Sequence, residues 1–430
     1  MRVRPQHLLL AAACLHLLTT LVIYTAGRLS ILPEPFVADG TGEFAFDSFR
    51  YQQEAKALVG VLTNDGVAAW LRVPVQLHVY LYSLSFAIFS PLFGYSVLAV
   101  EPLNILFYLA SLILVYQIGK EAFGKVTGLI AAIVIGLWPS FLLHTTQLLK
   151  DPLFIVCMLA LMFVCTLWLT RICSWKSVLW TVLVSTAAIA VLARMKSNMW
   201  ESVAVLVVVG IMLLLVRQAL ARRVFIQNML SAALIFTFTL VMPVKATMVH
   251  TRDERAVRFT EEIEHTSSVW TSLRARIAER RRVFIRDGRA PDSTIDGTVV
   301  FNNTGDIVRY LPRATLIGLF APFPKMWFAS ASVMGGAARV LAGAETLVFY
   351  LVALAAGLCA YVERRNIASW LLLLVALINM VALGLVVTNI GTLFRLRYVF
   401  WMLIIIMGAR GAVILAHRFK NGGATVNGLS

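Results

Sequence analysis

Ten apolar runs, each about 17 to 22 residues long, dominate this 430-residue chain. A helix needs about 20 apolar residues to cross the hydrocarbon core of a bilayer, because each residue advances it by about 1.5 Å. The runs lie at 8–28, 97–118, 126–144, 152–170, 177–193, 199–216, 224–245, 340–361, 367–388 and 397–416. They predict an all-α polytopic membrane protein with about ten (10–12) transmembrane helices.

Two further apolar stretches, 75–93 and 310–330, have prolines in or beside them, which disfavour an uninterrupted helix. With ten spans and cytoplasmic termini, every inner loop carries Lys or Arg, as the positive-inside rule requires. Counting only one of the two stretches as a span would reverse every loop downstream of it. Both are therefore predicted to be juxtamembrane segments on the extracytoplasmic side.

Composition narrows the possible partners. Only 14% of the residues are charged and 60% are hydrophobic, far from the soluble range. The net charge of +16 comes mostly from basic residues in short loops between apolar runs, a pattern of membrane topology. We therefore expect membrane lipids and no nucleic acid as partners. The five cysteines show no paired spacing and predict neither a disulfide framework nor a zinc site.

The loops suggest three units. Residues 1–245 form an N-terminal transmembrane module whose first outer loop, 29–96, is rich in polar residues. Residues 246–339 form an extracytoplasmic insertion and juxtamembrane segment, dense in both signs of charge from Arg252 to Arg289, which is typical of a solvated helix. Residues 340–430 contribute the C-terminal transmembrane helices.

The first outer loop carries Asp39, Glu43 and Asp47 within nine positions. Asp47 precedes Tyr51 at helical spacing, so a helix is predicted to begin near it. An acid at a helix start either caps the helix and interacts with its dipole, or serves a chemical role at the membrane surface.

Other outer-side charges need an explanation. Lys150 and Asp151 occupy a short turn and form either a local ion pair or a substrate contact. Arg395 and Arg397 precede the last apolar run, on the side where basic residues are disfavoured. They either reach lipid headgroups or bind an anionic ligand, to which arginine can make bidentate hydrogen bonds.

Several segments resemble, in the same order, those of the GT-C superfamily of membrane glycosyltransferases, such as protein O-mannosyltransferases and aminoarabinose transferases. They are the loop with Asp47 and Tyr51, the stretch 77–83, the basic inner turn 116–129, the two parts 138–140 and 148–154 of an outer turn, and the pattern Gly391-x-x-x-Arg395-x-Arg397-Tyr398. The family has prolines after the histidine that corresponds to His78, and these prolines are missing here. The similarity covers about 1–170 and 310–416.

The resemblance implies a GT-C-like fold and a donor sugar linked to polyprenyl phosphate, transferred to a lipid, glycan or protein acceptor. It implies Asp47 as the catalytic base, and substrate contacts from Tyr51, Lys150, Asp151, Arg395, Arg397 and Tyr398. Phosphate is a ready leaving group, so one base and one cationic clamp suffice, whereas glycoside hydrolysis needs a second carboxylic acid. Some relatives use a divalent cation, Mg²⁺ or Mn²⁺, which Asp47 and Asp151 would hold here.

Two other functions stay open. A transporter or flippase of lipid-linked glycans would also use outer arginines but no base, and a surface-glycan polymerase or ligase would use a donor with a diphosphate. Transporters often contain internal repeats, and none is apparent here. The short loops predict a bacterial cytoplasmic membrane, with the active site on the periplasmic or extracytoplasmic side.

Overall fold

The computed structural model describes residues 5–31, 36–42, 45, 47–195, 199–247, 269–286, 294–328 and 335–426. Within these ranges the chain is all helical, with two isolated β-bridges. The helices are α1 Pro5–Arg28, α2 Asp47–Asn64, α3 Gly66–Trp70, α4 Leu77–Phe93, α5 Val97–Phe123, α6 Lys125–Gly136, α7 Pro139–Thr145, α8 Asp151–Thr170, α9 Trp175–Met195, α10 Trp200–Ala221, α11 Ile226–Thr247, α12 Val269–Arg286, α13 Thr304–Phe320, α14 Gly335–Val362, α15 Ile367–Val386, α16 Ile390–Leu396 and α17 Tyr398–Val426.

All ten predicted spans are helical. Eight helices in the described ranges are long and apolar enough to cross a membrane, and α6 with α7 makes a ninth, bent by 66°. The tenth run is α11, a shorter apolar helix over Ile226–Met242. The chain is therefore an integral membrane protein, and its predicted fold class is confirmed.

The stretch 75–93 contains the 17-residue helix α4, whereas the stretch 310–330 begins in the 17-residue helix α13 and continues after Phe320 with a 3₁₀ turn at Pro324–Met326. Pro91 lies near the end of α4, and Pro312 lies inside α13, where the sequence predicted a break. Residue Val308, one turn before Pro312, is exposed, so the helix continues past the missing N–H without burying an unpaired carbonyl. Within the charged insertion α12 is helical as predicted, whereas residues 248–268 and 287–293 lie outside the described part.

The main core lies among α5, α8, α15 and α17, and a second apolar cluster joins α2 to α4. Helix α13 packs so tightly on α15 that their backbones touch. A Cβ on Gly318 would lie 2.0 Å from the Met380 carbonyl oxygen, and one on Gly384 would lie 2.0 Å from that of Ala314. Small residues at such crossings are typical of membrane helices.

A buried polar network fixes α1 against the bundle. His16 Nδ1 lies 2.7 Å from Glu101 Oε1, and its Nε2 lies 3.1 Å from the Thr145 hydroxyl. Thr20 donates to the second oxygen of Glu101 at 2.8 Å. Polar groups at this depth are costly unless paired, and these pairs connect α1 to α5 and α7. The first outer loop therefore leaves from a fixed helix.

Candidate active site

The first outer loop is held in place by the turn before α8. The Gln147 side chain accepts a hydrogen bond from Gly42 N at 2.9 Å and donates to the Gly40 carbonyl oxygen at 3.3 Å. Gly40 has a left-handed backbone, φ 85°, and packs against Val97 so closely that a Cβ would lie 2.5 Å from it. Asp39 accepts from Thr41 N and from Gln52. The loop thus delivers Asp47 to a defined position.

Asp47 is the first residue of α2 and forms an ion pair across the fold. Its Oδ2 accepts a hydrogen bond from Arg395 Nη2 at 2.6 Å. The Asp47 side chain is 40% exposed, whereas that of Arg395 is 14% exposed. Helix α16 positions Arg395, and Asn389 caps that helix by accepting from Thr392 N. The Asp47 side chain therefore stays partly accessible while it pairs with Arg395.

Arg395 also faces a second acid. Asp151 begins α8, and its Oδ2 lies 3.6 Å from Arg395 Nε, an ion-pair distance rather than a hydrogen bond. The Asp151 side chain is only 6% exposed. One guanidinium thus joins the start of α2, the start of α8 and the end of α16, three segments far apart in sequence.

Lys150 and Tyr51 complete the group. The Lys150 ammonium lies 5.8 Å from the centre of the Tyr51 ring. Tyr51 is 1% exposed, and its ring makes a T-shaped contact with the His78 ring at 4.3 Å between centroids. Among the described residues, its hydroxyl has no hydrogen-bond partner. We call Asp47, Tyr51, Lys150, Asp151 and Arg395 the outer-face cluster.

The charges of the outer-face cluster shift one another's pKa values. Burial raises the pKa of Asp47, but the charge and hydrogen bond of Arg395 outweigh it and hold that pKa below its ordinary value. Burial lowers the pKa of Lys150, although Asp151 and Asp47 oppose the shift. Burial would lower the pKa of Arg395 as well, but Asp151 and Asp47 raise it. At neutral pH Asp47 is therefore ionised.

Arg397 and Tyr398 do not join the outer-face cluster. Arg397 is fully buried, its guanidinium lies 3.9 Å from the centre of the Trp401 ring, and it reaches the Gly318 carbonyl oxygen at 3.5 Å. The Tyr398 hydroxyl lies 3.1 Å from His144 Nδ1. Substrate contact by these two residues stays a prediction.

Gln147 and His144 shape the site, although neither was predicted as a site residue and neither belongs to a segment that carries the resemblance. His144 Nδ1 lies 2.7 Å from the Ser140 carbonyl oxygen as well as near Tyr398. The signal available was the polar run 144–147, which interrupts apolar sequence just before Lys150. Such a run in an outer turn indicates hydrogen bonding to another loop.

The acids do not fit a resident divalent cation. Asp47 and Asp151 both pair with Arg395, which occupies the place between them. Among the described residues, no group of three or more His, Cys, Asp or Glu could hold a metal ion. A cation between the two carboxylates would be repelled by the guanidinium unless it displaced that group. The two carboxylates therefore suit an arginine partner rather than a resident metal ion.

No protein-family model and no curated protein matches the chain. The solved structures that resemble it include the following two. One is the archaeal oligosaccharyltransferase AglB from Archaeoglobus fulgidus, in complex with an inhibitory peptide and a dolichol-phosphate, at 14% identity and a TM-score of 0.44 over 83% of this chain. The chain spans 44% of the length of AglB. The other is ArnT from Cupriavidus metallidurans bound to undecaprenyl phosphate, at 13% identity and a TM-score of 0.37 over 93% of this chain and 77% of ArnT. The overlap is too loose to assign roles to residues.

Proposed function

We propose that this protein is a membrane glycosyltransferase that transfers a sugar from a polyprenyl-phosphate-linked donor to an extracytoplasmic lipid, glycan or protein acceptor. The observation that supports this proposal best is the pairing of Arg395 with Asp47 and Asp151, at the point where α2, α8 and α16 meet. A carboxylate that can accept a proton and a guanidinium that can bind phosphate lie side by side there. The site would face the periplasm or cell exterior of a bacterial cytoplasmic membrane.

In the proposed reaction, a hydroxyl oxygen of the acceptor attacks the anomeric carbon of the donor sugar. The bond from that carbon to the phosphate oxygen breaks, and its electron pair leaves with the polyprenyl phosphate. The acceptor proton passes to Asp47, a step typically worth about 10² to 10⁴ in rate. Arg395 and Lys150 stabilise the negative charge that develops on the departing phosphate.

The ion pair itself provides a way to activate the base. A donor phosphate that binds Arg395 competes with Asp47 for the same guanidinium, whose planar donors suit phosphate oxygens. Once the arginine turns to the phosphate, Asp47 loses its main pKa-lowering partner. The pKa of Asp47 therefore rises only when substrate is bound. Without substrate, the carboxylate stays ionised and is not protonated by solvent.

This exchange predicts a pH effect. An aspartate whose pKa lies below about 3.9 is ionised above that pH and loses its base form as the pH falls through its pKa. The acid limb of kcat/KM, which reports the free enzyme, should therefore lie below pH 4, and that of kcat should lie at higher pH. Steady-state pH profiles of both constants check this. If the acid limbs of kcat/KM and kcat coincided, that result would contradict the exchange of Arg395 from Asp47 to the donor phosphate.

The position of Arg395 also predicts independence of metal ions. Because a guanidinium already neutralises Asp47 and Asp151, treatment with EDTA should lower kcat by less than about twofold. The assay compares chelated enzyme with enzyme given back Mg²⁺ or Mn²⁺. A large loss that either ion restores would show that the cation displaces Arg395 during turnover.

The proposed function is tested by release of free polyprenyl phosphate from a panel of polyprenyl-phosphate sugars, with an acceptor extract and the purified protein in bilayers. Release with one donor supports the proposal and identifies the sugar. No release with any donor, together with movement of a lipid-linked glycan across the bilayer, would instead support a transporter.

A further inference from the structure

A cavity of about 650 Å³ opens beside the loop that precedes α13, away from the outer-face cluster. Its walls are Thr294, Ile295, Asp296, Arg313, Phe323, Pro324, Lys325 and Met326. This volume lies within the range of about 300–1,000 Å³ typical of ligand pockets. None of these residues has a role in the mechanism above.

One wall of the cavity is polar and firmly built. Asp296 accepts hydrogen bonds from the Tyr310 hydroxyl at 2.9 Å and from Arg313 Nε at 3.0 Å. The hydrogen bond from Arg313 holds the pKa of Asp296 below its ordinary value, so the carboxylate is ionised at neutral pH. The Arg313 guanidinium also lies 5.0 Å from the centre of the Phe323 ring. Acid, cation and aromatic ring are thus fixed together.

A buried arginine holds the loop that carries Asp296. Arg281 of α12 is 1% exposed and donates to the carbonyl oxygens of Asp296, Val299 and Leu385, at 2.8, 2.9 and 2.7 Å. These bonds join the loop to α15. The cavity wall is therefore preorganised rather than formed by a loose surface loop.

The same loop contacts the helix that carries Arg395. Thr294 pairs with Asn389 in an isolated antiparallel bridge, and Ile295 N donates to the Thr388 carbonyl oxygen at 2.8 Å. Asn389 caps α16, and Arg395 follows six residues later, about 9 Å along a helix axis at 1.5 Å per residue. The cavity wall is thus joined directly to the segment that carries Arg395.

We propose that this cavity binds the carbohydrate part of an extended acceptor, an oligosaccharide or glycolipid, whose reacting hydroxyl lies at the outer-face cluster. A sugar ring presents C–H groups on its faces and hydroxyls at its edge. Phe323 offers an aromatic surface to the former, and Asp296, Arg313 and Lys325 offer charged hydrogen-bonding groups to the latter. This inference rests on the proposed function only for the identity of the acceptor.

Direct binding tests the proposal without turnover. Purified protein in lipid nanodiscs is titrated with methyl glycosides and disaccharides, neutral, N-acetylated and uronate, and binding is followed by saturation-transfer NMR. Wild type should bind at least one of them, and Phe323→Ala and Arg313→Gln should each weaken that binding roughly tenfold. The matched controls Phe328→Ala and Arg309→Gln change exposed residues that do not line the cavity. They should bind like wild type.

Asp47→Asn separates this inference from the proposed function. It should bind the glycoside like wild type, since Asp47 lies outside the cavity. If wild type binds none of the glycosides, or if both cavity variants bind as tightly as wild type, the cavity is not a carbohydrate site. If glycoside binding depends on Phe323 and Arg313 but the protein releases no polyprenyl phosphate, the carbohydrate site is supported. Only the proposed glycosyltransferase activity is then overturned.

Discussion

Asp47→Asn should lower the rate of polyprenyl phosphate release by at least about a hundredfold, because removal of a general base typically costs about 10² to 10⁴ in rate. Asparagine keeps the size of the side chain and an oxygen that still accepts from Arg395. The carboxylate that would accept the acceptor proton is lost. The loss should therefore appear in kcat, with a smaller change in KM for the donor. Initial rates over a range of donor concentrations separate the two.

Asp65→Asn is the matched control. Asp65 precedes α3, is exposed, and makes no side-chain capping bond, so its variant should turn over within about twofold of wild type. Thermal unfolding of Asp47→Asn should remain close to that of wild type, since its side chain is 40% exposed. A variant that folds and turns over normally would show that Asp47 is only a helix-start residue and that the mechanism is wrong.

Much of the fold was predictable from the sequence because membrane spanning imposes a length and a composition on each helix. Nine of the ten predicted runs each coincide with one helix, the run 126–144 coincides with the bent pair α6 and α7, and the helix expected near Asp47 begins at that residue. Asp47, Lys150, Asp151 and Arg395 come from the segments that suggested a family, and they lie together in the structure. The fold class thus follows from local patterns that need no knowledge of which helices touch.

The separation of Arg395 from Arg397 was not predictable from the sequence pattern. Residues two apart on a helical path point about 200° apart, so the two side chains leave the helix on opposite sides. Arg395 therefore turns to Asp47, and Arg397 turns inward to stack on Trp401. The sequence pattern does not distinguish the two arginines, whereas the helix geometry directs their side chains to opposite faces.

The long-range pairs between polar groups were also not predictable from the sequence. His16 with Glu101, and Gln147 with Gly42, join segments 85 and 105 residues apart. A single sequence carries no signal for which distant partner satisfies a buried polar group. Hydrophobic periodicity places a residue on a face, but the partner depends on how the helices assemble.

Arg395→Gln should abolish detectable release of polyprenyl phosphate and also destabilise the protein. The variant leaves the nearly buried Asp151 carboxylate without its guanidinium, and losing one partner of a buried ion pair costs about 3–5 kcal/mol. Lys150 stays nearby, so we expect the lower end of that range. A loss of activity in this variant alone would thus not separate catalysis from folding.

The double variant Arg395→Gln with Asp151→Asn separates them, because it removes the buried unpaired charge together with the arginine. It should recover most of the lost thermal stability, as expected for two groups in contact, yet remain at least about a hundredfold slower than wild type, since no guanidinium stabilises the departing phosphate. Unfolding scans and release assays on the same preparations measure both quantities. Recovery of activity along with stability would mean that Arg395 holds the outer-face cluster together without contacting substrate. Continued inactivity in a stable protein would leave phosphate binding as the role that the geometry of this arginine supports.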